Sequence, residues 1–364
     1  MPKNKYSKEE VKAVTNNPTS LKTLDFFCSV GGMTEGFENA GINVIAGIDI
    51  DPDCKGTYEK NHPNSKFLLK DIKKLRTNFF LKEMNIQKND DGLIMIGCSP
   101  CQHWTKINTE KGNSEPSKNL LVDFTRFVKY YRPGYIVVEN VPGIESKPRE
   151  SGLEMFLSFL SNNNYKYSKS ILDMSKYGVP QKRVRFVLLA TRHKNEIYFP
   201  DEACIIRTLR NTIESLPEIG AGEHDETKKL HRSSALSEKN KKRLALTPEN
   251  GGTRLAWKDD PKLQISAYKG KDNIFRDVYG RMKWDTPAPT ITTRFNSISN
   301  GRFGHPTQNR AISLLEGALL QTFRESYSFL GETDFMIAKH IGNAVPPLFA
   351  EQLASKIKTH YIQL

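Results

Sequence analysis

Short apolar stretches alternate with amphipathic ones from Lys22 to Thr191, and that alternation narrows the choice of fold more than any other feature of the chain. KTLDFF (22–27), NVIAGIDI (43–50), KFLL (66–69), DGLIMIG (91–97) and GYIVVEN (134–140) read as buried strands. Between them, MTEGFENAG (33–41), DPDCKGTYEKN (51–61) and NLLVDFTRFVKYY (119–131) read as helices. In the second of these, Asp51 is the expected N-cap and Pro52 the first helical residue. A further helix, GLEMFLSFLSNN, precedes two strand-like runs, YKYSKSILD and RVRFVLLAT. Strands alternating with helices predict a doubly wound, mostly parallel α/β sheet. Such sheets bind ligands at the carboxyl ends of their strands, so the loops after Phe27, Ile48, Ile96 and Val138 are expected on one rim.

The pattern lapses beyond residue 196, where polar runs such as GAGEHDETKKLHRSS dominate. Helical spacing returns in RAISLLEGALLQTF (310–323) and PPLFAEQLASKIKTHY (346–361). The expected organisation is a flexible basic arm over 1–20, an α/β unit over 21–196, a smaller loop-rich unit over 197–300, and a return to the first unit over 301–364. No apolar run approaches the ~18 residues that span a membrane, and the polar start MPKNKYSKEE lacks the apolar core of a signal peptide. The expected setting is therefore cytoplasmic. A formal net charge of +13 suits a polyanionic partner, although charge alone also serves solubility. The cluster KNKKR (239–243) reads as a solvated helix face.

The stretch GCSPCQHW (97–104) sets two cysteines three apart at the end of a strand. A redox pair would fit the spacing, but the chain is far too long for one redox domain. Zinc would need two more ligands at compatible spacing; there is no second CxxC, and His103 is too close in sequence to complete a site. The remaining reading is a single nucleophile, Cys101, with Pro100 fixing the backbone before it and a long polar loop after it. A thiol attack that leaves an electron-rich product needs an acid to protonate it, and Glu139, ending the next long strand, is the candidate.

Taken together, Phe27, SVGG (29–32), PCQ (100–102), ENV (139–141), QKRVR (181–185) and GNAVPP (342–347) occur in an order and spacing that resembles the DNA cytosine-C5 methyltransferases of prokaryotic restriction-modification systems. The resemblance covers residues 23–195 and 286–358. It implies the S-adenosylmethionine-dependent methyltransferase fold. It also implies that Cys101 attacks C6 of cytosine while Glu139 holds N3 and the exocyclic amine and protonates N3. C5 then accepts a methyl group from S-adenosylmethionine. Arg183 and Arg185 match the family's paired arginines, with Arg185 on cytosine O2. The target atoms lie inside the stacked duplex, so the base must flip out at a cost of a few kcal/mol.

The same resemblance implies the cofactor residues: Phe27, Ser29, Gly31, Gly32, Asp49, Ile50, Asp71, Pro100 and Asn343. Phe27 and Ile50 would flank the adenine, Asp49 the ribose hydroxyls and Asp71 the adenine amine. Gly31 and Gly32 would let the backbone approach the ligand. The family usually has glycine at Ser29 and more often glutamate at Asp49. No metal is implied. Residues 21–196 and 301–364 become the catalytic and cofactor-binding domain, and 197–300 the target-recognition domain, with Thr290 and Arg294 at its exit. The implied partners are double-stranded DNA and, functionally, a cognate restriction endonuclease. The protein is expected to be a monomer found with the nucleoid through its DNA. The alternatives are a tRNA cytosine-5 methyltransferase on the same scaffold and a catalytically silent DNA-binding relative.

Overall fold

A computed structural model describes residues 21–100 and 119–364. The arm over 1–20 and the stretch 101–118, which includes Cys101, lie outside the described residues. Among the described residues, seven strands form one sheet: β1 Lys22–Phe26, β2 Asn43–Asp49, β3 Lys66–Leu69, β4 Leu93–Gly97, β5 Tyr135–Asn140, β6 Lys166–Asp173 and β7 Val184–Thr191. Their order is β3-β2-β1-β4-β5-β7-β6. β1 to β5 pair in parallel, and β7 runs antiparallel to both of its neighbours. The sheet is thus doubly wound and mostly parallel, as the alternation predicts.

β4 and β5 are buried along their whole length, which is why both read as unbroken apolar runs. On one face of the sheet, Leu24, Phe26 and Val138 pack against Phe124, Phe127 and Phe156 from helices Leu120–Tyr131 and Leu153–Asn162. On the other, Val44, Ile94 and Val137 meet Phe37, Phe349 and Leu353 from helices Gly32–Asn39 and Pro347–Ile362. The second half of the chain therefore supplies a layer to the first.

Two helix starts differ from the sequence reading. The helix expected from Pro52 spans Cys54–Asn61, because the Asp51 side chain accepts the Asp53 amide and leaves Pro52 in a preceding turn. The stretch 310–323 is helical only over Leu314–Leu320, started by a capping box between Ser313 and Glu316.

The 197–300 segment carries only short helices, Arg210–Ile213 and Glu238–Leu246, and single 3-10 turns. Buried arginines tie its loops together. Arg281 donates to the carbonyls of Leu244, Thr247, His305 and Gln308. Arg310 forks onto Glu316 at 2.7 Å through both nitrogens. Cys28, Tyr58, Leu209, Met282, Phe295 and Ile341 share one apolar cluster, so residues on both sides of 196 and 300 contribute to it.

One polar group in this interior has a measurable consequence. Asp25, on β1, is fully buried; Thr34 donates to one carboxylate oxygen at 2.8 Å and the other has no partner. Burial, with the nearby Asp49 charge adding to it, pushes the Asp25 carboxyl up to about 7. The unfolded chain releases this proton near pH 4. The stabilisation is therefore complete below that pH and is lost as pH rises toward 7. Asp25→Asn keeps an acceptor for Thr34 and removes the titration. Urea unfolding of the two proteins should diverge between pH 5 and 7, wild type losing on the order of 1 kcal/mol per pH unit relative to the variant; parallel curves would refute the assignment.

Candidate active site

Register sets the site. Phe26 lies opposite Ile48 on β2 and Gly97 on β4, and Gly97 lies opposite Val138 on β5. The ends of these four strands therefore emerge together at the reversal of strand order. From β2 to β5 is three strand spacings, about 14 Å.

At the β1 end, Phe27 and Ser29 both have left-handed backbones, with φ of 63° and 48°. The amides of Phe27 and Cys28 donate to the Ile48 carbonyl at 2.8 and 3.2 Å. The Ser29 amide donates to Asp49 Oδ2 at 2.8 Å, and the Asp51 amide to Oδ1 at 2.9 Å. Burial pushes the Asp49 carboxyl up despite those amides. Serine thus occupies a conformation that glycine adopts freely. The two glycines after Val30 are also tightly enclosed by the chain itself. A Cβ on Gly31 would strike the His62 ring, and one on Gly32 the Val345 carbonyl, so both admit protein atoms of the same chain.

Beyond the turn, Ile50 follows the end of β2 and is 64% exposed. Lys339 holds Asp51 Oδ2 at 3.0 Å. Burial opposes ionisation of Asp51, yet that ammonium and the Asp53 amide keep its carboxyl below the ordinary value. Asp71 follows β3 in a cleft lined by Leu69, Phe79 and Lys82 and accepts the Lys73 amide at 2.9 Å. Asn343 ends helix Asp334–Asn343 and is exposed.

At the β5 end, Glu139 is buried, and it pairs across the sheet with Val187. Arg185 lies two residues before Val187 on β7, so it projects from the same face. Its Nε is 3.1 Å from Glu139 Oε1, without the alignment of a hydrogen bond, so that buried oxygen keeps its accepting capacity. Arg183 is buried elsewhere. Its guanidinium donates to the carbonyls of Ile291, Gly342 and Ala344, tying β7 to the GNAVPP segment. Asn140 Nδ2, which the sequence reading did not single out, donates to Ser99 Oγ at 3.0 Å. Ser99 and the exposed Pro100 are the last described residues before Cys101.

A family model for C-5 cytosine-specific DNA methylase matches residues 21–359. The chain belongs to that family. It is a DNA cytosine-5 methyltransferase. It is 38% identical over 351 residues to the Type II methylase M.HgiDII of Herpetosiphon aurantiacus, covering 92% of this chain and 94% of that one. It is 30% identical to the Type II methyltransferase M1.HphI of Haemophilus parahaemolyticus, covering 93% and 87%. Among solved structures, the Entamoeba histolytica methyltransferase EhMeth shares the fold with a TM-score of 0.64 at 17% identity, covering 94% of this chain and 98% of that one.

The geometry of this methyltransferase separates its two arginines. Arg185→Ala should lower turnover by at least about a hundredfold, far more than the modest loss of thermal midpoint expected from leaving the Glu139 carboxylate without its cation. Arg183→Ala should destabilise the fold by about 2–3 kcal/mol, because it leaves buried carbonyls unpaired. Thermal melts and single-turnover rates of both variants check this; the reverse pattern would exchange their roles.

Proposed function

We propose that this methyltransferase moves a methyl group from S-adenosylmethionine to C5 of a cytosine flipped out of a short, specific duplex sequence, through a covalent bond between Cys101 and C6. The observation that carries the reading is the buried Glu139 carboxylate, with one oxygen unaligned beside Arg185, on the strand next to the one that leads into Pro100 and Cys101.

The cofactor fits the opposite end of the rim. Exposed Ile50 and half-buried Phe27 offer apolar surfaces for adenine, and Asp49 retains lone pairs for ribose hydroxyls. Gly31 and Gly32 let the backbone approach the ligand, Asp71 is suited to the adenine amine, and Asn343 and Pro100 are suited to the amino-acid end. When bound, S-adenosylmethionine supplies an electrophilic methyl group. The chain's own residues do the rest. Glu139 holds N3 and the exocyclic amine of the flipped base and delivers a proton to N3. Arg185 holds O2 and keeps Glu139 in position, while Arg183 acts through the backbone it braces. Cys101 adds to C6, which makes C5 nucleophilic; loss of the C5 proton and of Cys101 then restores the ring. Residues 197–300 read the target duplex, and one copy of the chain suffices. Its cellular role is to protect DNA from a partner endonuclease.

Labelled methyl transfer to plasmid DNA and to tRNA, run side by side, tests the substrate. Label on plasmid alone is expected, and label on tRNA alone would overturn the reading. Cys101→Ser should abolish transfer and Cys98→Ser should largely keep it. Equal loss from both would return the pair to redox chemistry. Bisulfite sequencing of plasmid from expressing cells then identifies the target sequence.

A further inference from the structure

One buried side chain behind the cofactor end of the rim has no partner. His340, on helix Asp334–Asn343, is 1% exposed, and neither ring nitrogen makes a hydrogen bond. A buried imidazole carries two polar atoms, and leaving both unpaired is costly. Its ligand atom lies with Cys54 Sγ and an Asp51 carboxylate oxygen in a group whose members are all within 4.8 Å of one another.

We propose that Asp51, Cys54 and His340 form a binding site for a thiophilic divalent cation of the zinc class. A thiolate, an imidazole and a carboxylate are the donors that such an ion takes, and hard cations such as magnesium are disfavoured by the sulfur. Asp51 and Cys54 are brought together by the turn that delays the helix at Cys54–Asn61, and His340 arrives from the far end of the chain. Zinc–ligand bonds of about 2.0–2.3 Å put tetrahedral donor atoms roughly 3.3–3.7 Å apart. Rotations that close the three side chains by about 1 Å therefore complete the geometry and leave a fourth position for water.

Two displacements accompany binding. The Cys54 thiol gives up its proton to solvent as the sulfur–metal bond forms. Lys339 Nζ leaves Asp51 Oδ2, and its side chain is 36% exposed, so the ammonium has water to move into. The second candidate cluster, Glu35, Glu38 and His62, lacks the deciding feature. There His62 is bonded to Glu38 at 2.7 Å and Tyr327 at 2.9 Å, and Glu35 is paired with Arg324 at 2.6 Å. The zinc-class site uses neither Cys101 nor Glu139, and it adjoins the cofactor turn, with Cys54 Sγ 3.7 Å from Ser29 Oγ. An ion there would tie helix Asp334–Asn343 to the turn that carries Ile50.

Titrating the chelator-treated full-length protein with Co²⁺ tests the proposal, because a cobalt–thiolate bond has its own charge-transfer band. One equivalent should develop that band and Zn²⁺ should displace it. The band should persist in Cys101→Ser and weaken at least tenfold in apparent affinity in Cys54→Ser, His340→Ala and Asp51→Asn. Zinc should raise the thermal midpoint of wild type and Cys101→Ser by roughly 2–4 °C and leave Cys54→Ser unmoved. Melts without metal establish that each variant is folded; if one is not, the other two carry the comparison. The absence of a thiolate band in wild type, or a band unchanged by Cys54→Ser and His340→Ala, would overturn the site.

Discussion

The pairing of β1 with β2 on one side and β4 on the other is the constraint on which the rest of the structure depends. Because all three strands are parallel, their carboxyl ends point the same way. Because the order reverses at β1, the loops leaving β1 and β4 diverge and open a crevice. Among the described residues, Phe27, Ser29, Asp49, Ile50 and Glu139 all lie at or just beyond the carboxyl ends of β1, β2 and β5. The antiparallel strand β7 adds the one element that a purely parallel sheet would lack. It brings Arg185 back along β5 toward Glu139, so that a carboxylate and a guanidinium meet at a strand end.

The charge of the chain means less at the surface than its sum suggests. Arg183, Arg243, Arg254, Arg281 and Arg310 are all buried. Arg254 donates to the carbonyls of Lys271, Ile274 and Phe275, and Arg243 to that of Leu263 while lying over Trp257 and Tyr279. A guanidinium has five donors in a rigid fork, so a single one can satisfy several carbonyls that no strand or helix pairs. This is how a segment without extended secondary structure keeps a defined shape. It also corrects the reading of KNKKR, in which Arg243 is an interior strut and not part of a solvated face.

Most of the sheet was legible because buried parallel strands have a strong local signature: the expected strand ends fall within one or two residues of those observed. What was not legible depends on residues distant in sequence. Nothing local to SVGG shows that Gly31 and Gly32 must also make room for His62 and the Val345 carbonyl. The resemblance sets Arg185 apart from Arg183 in QKRVR, but the physical partners of each come only from the register of β7 and the position of the GNAVPP segment. Asp51 looked like an N-cap because Pro52 follows it; Lys339, which engages its other oxygen, comes from a late helix. In each case the deciding partner is distant in sequence and leaves no local signature.

The turn after β1 shows how such long-range support is used. Two of three consecutive residues, Phe27 and Ser29, lie in the left-handed region without being glycine, at a cost of about 1–2 kcal/mol each. The turn persists because it is over-determined: two amides share the Ile48 carbonyl, a third is held by Asp49, and Tyr327 donates to the Val30 carbonyl just beyond. Asp49 is the hinge of this arrangement, since its second oxygen also fixes the Asp51 amide. A longer acid at this position would reach farther into the rim but would have to fold back to keep both amides. At Ser29, then, a carboxylate close to the backbone holds a strained turn that glycine would have adopted unaided.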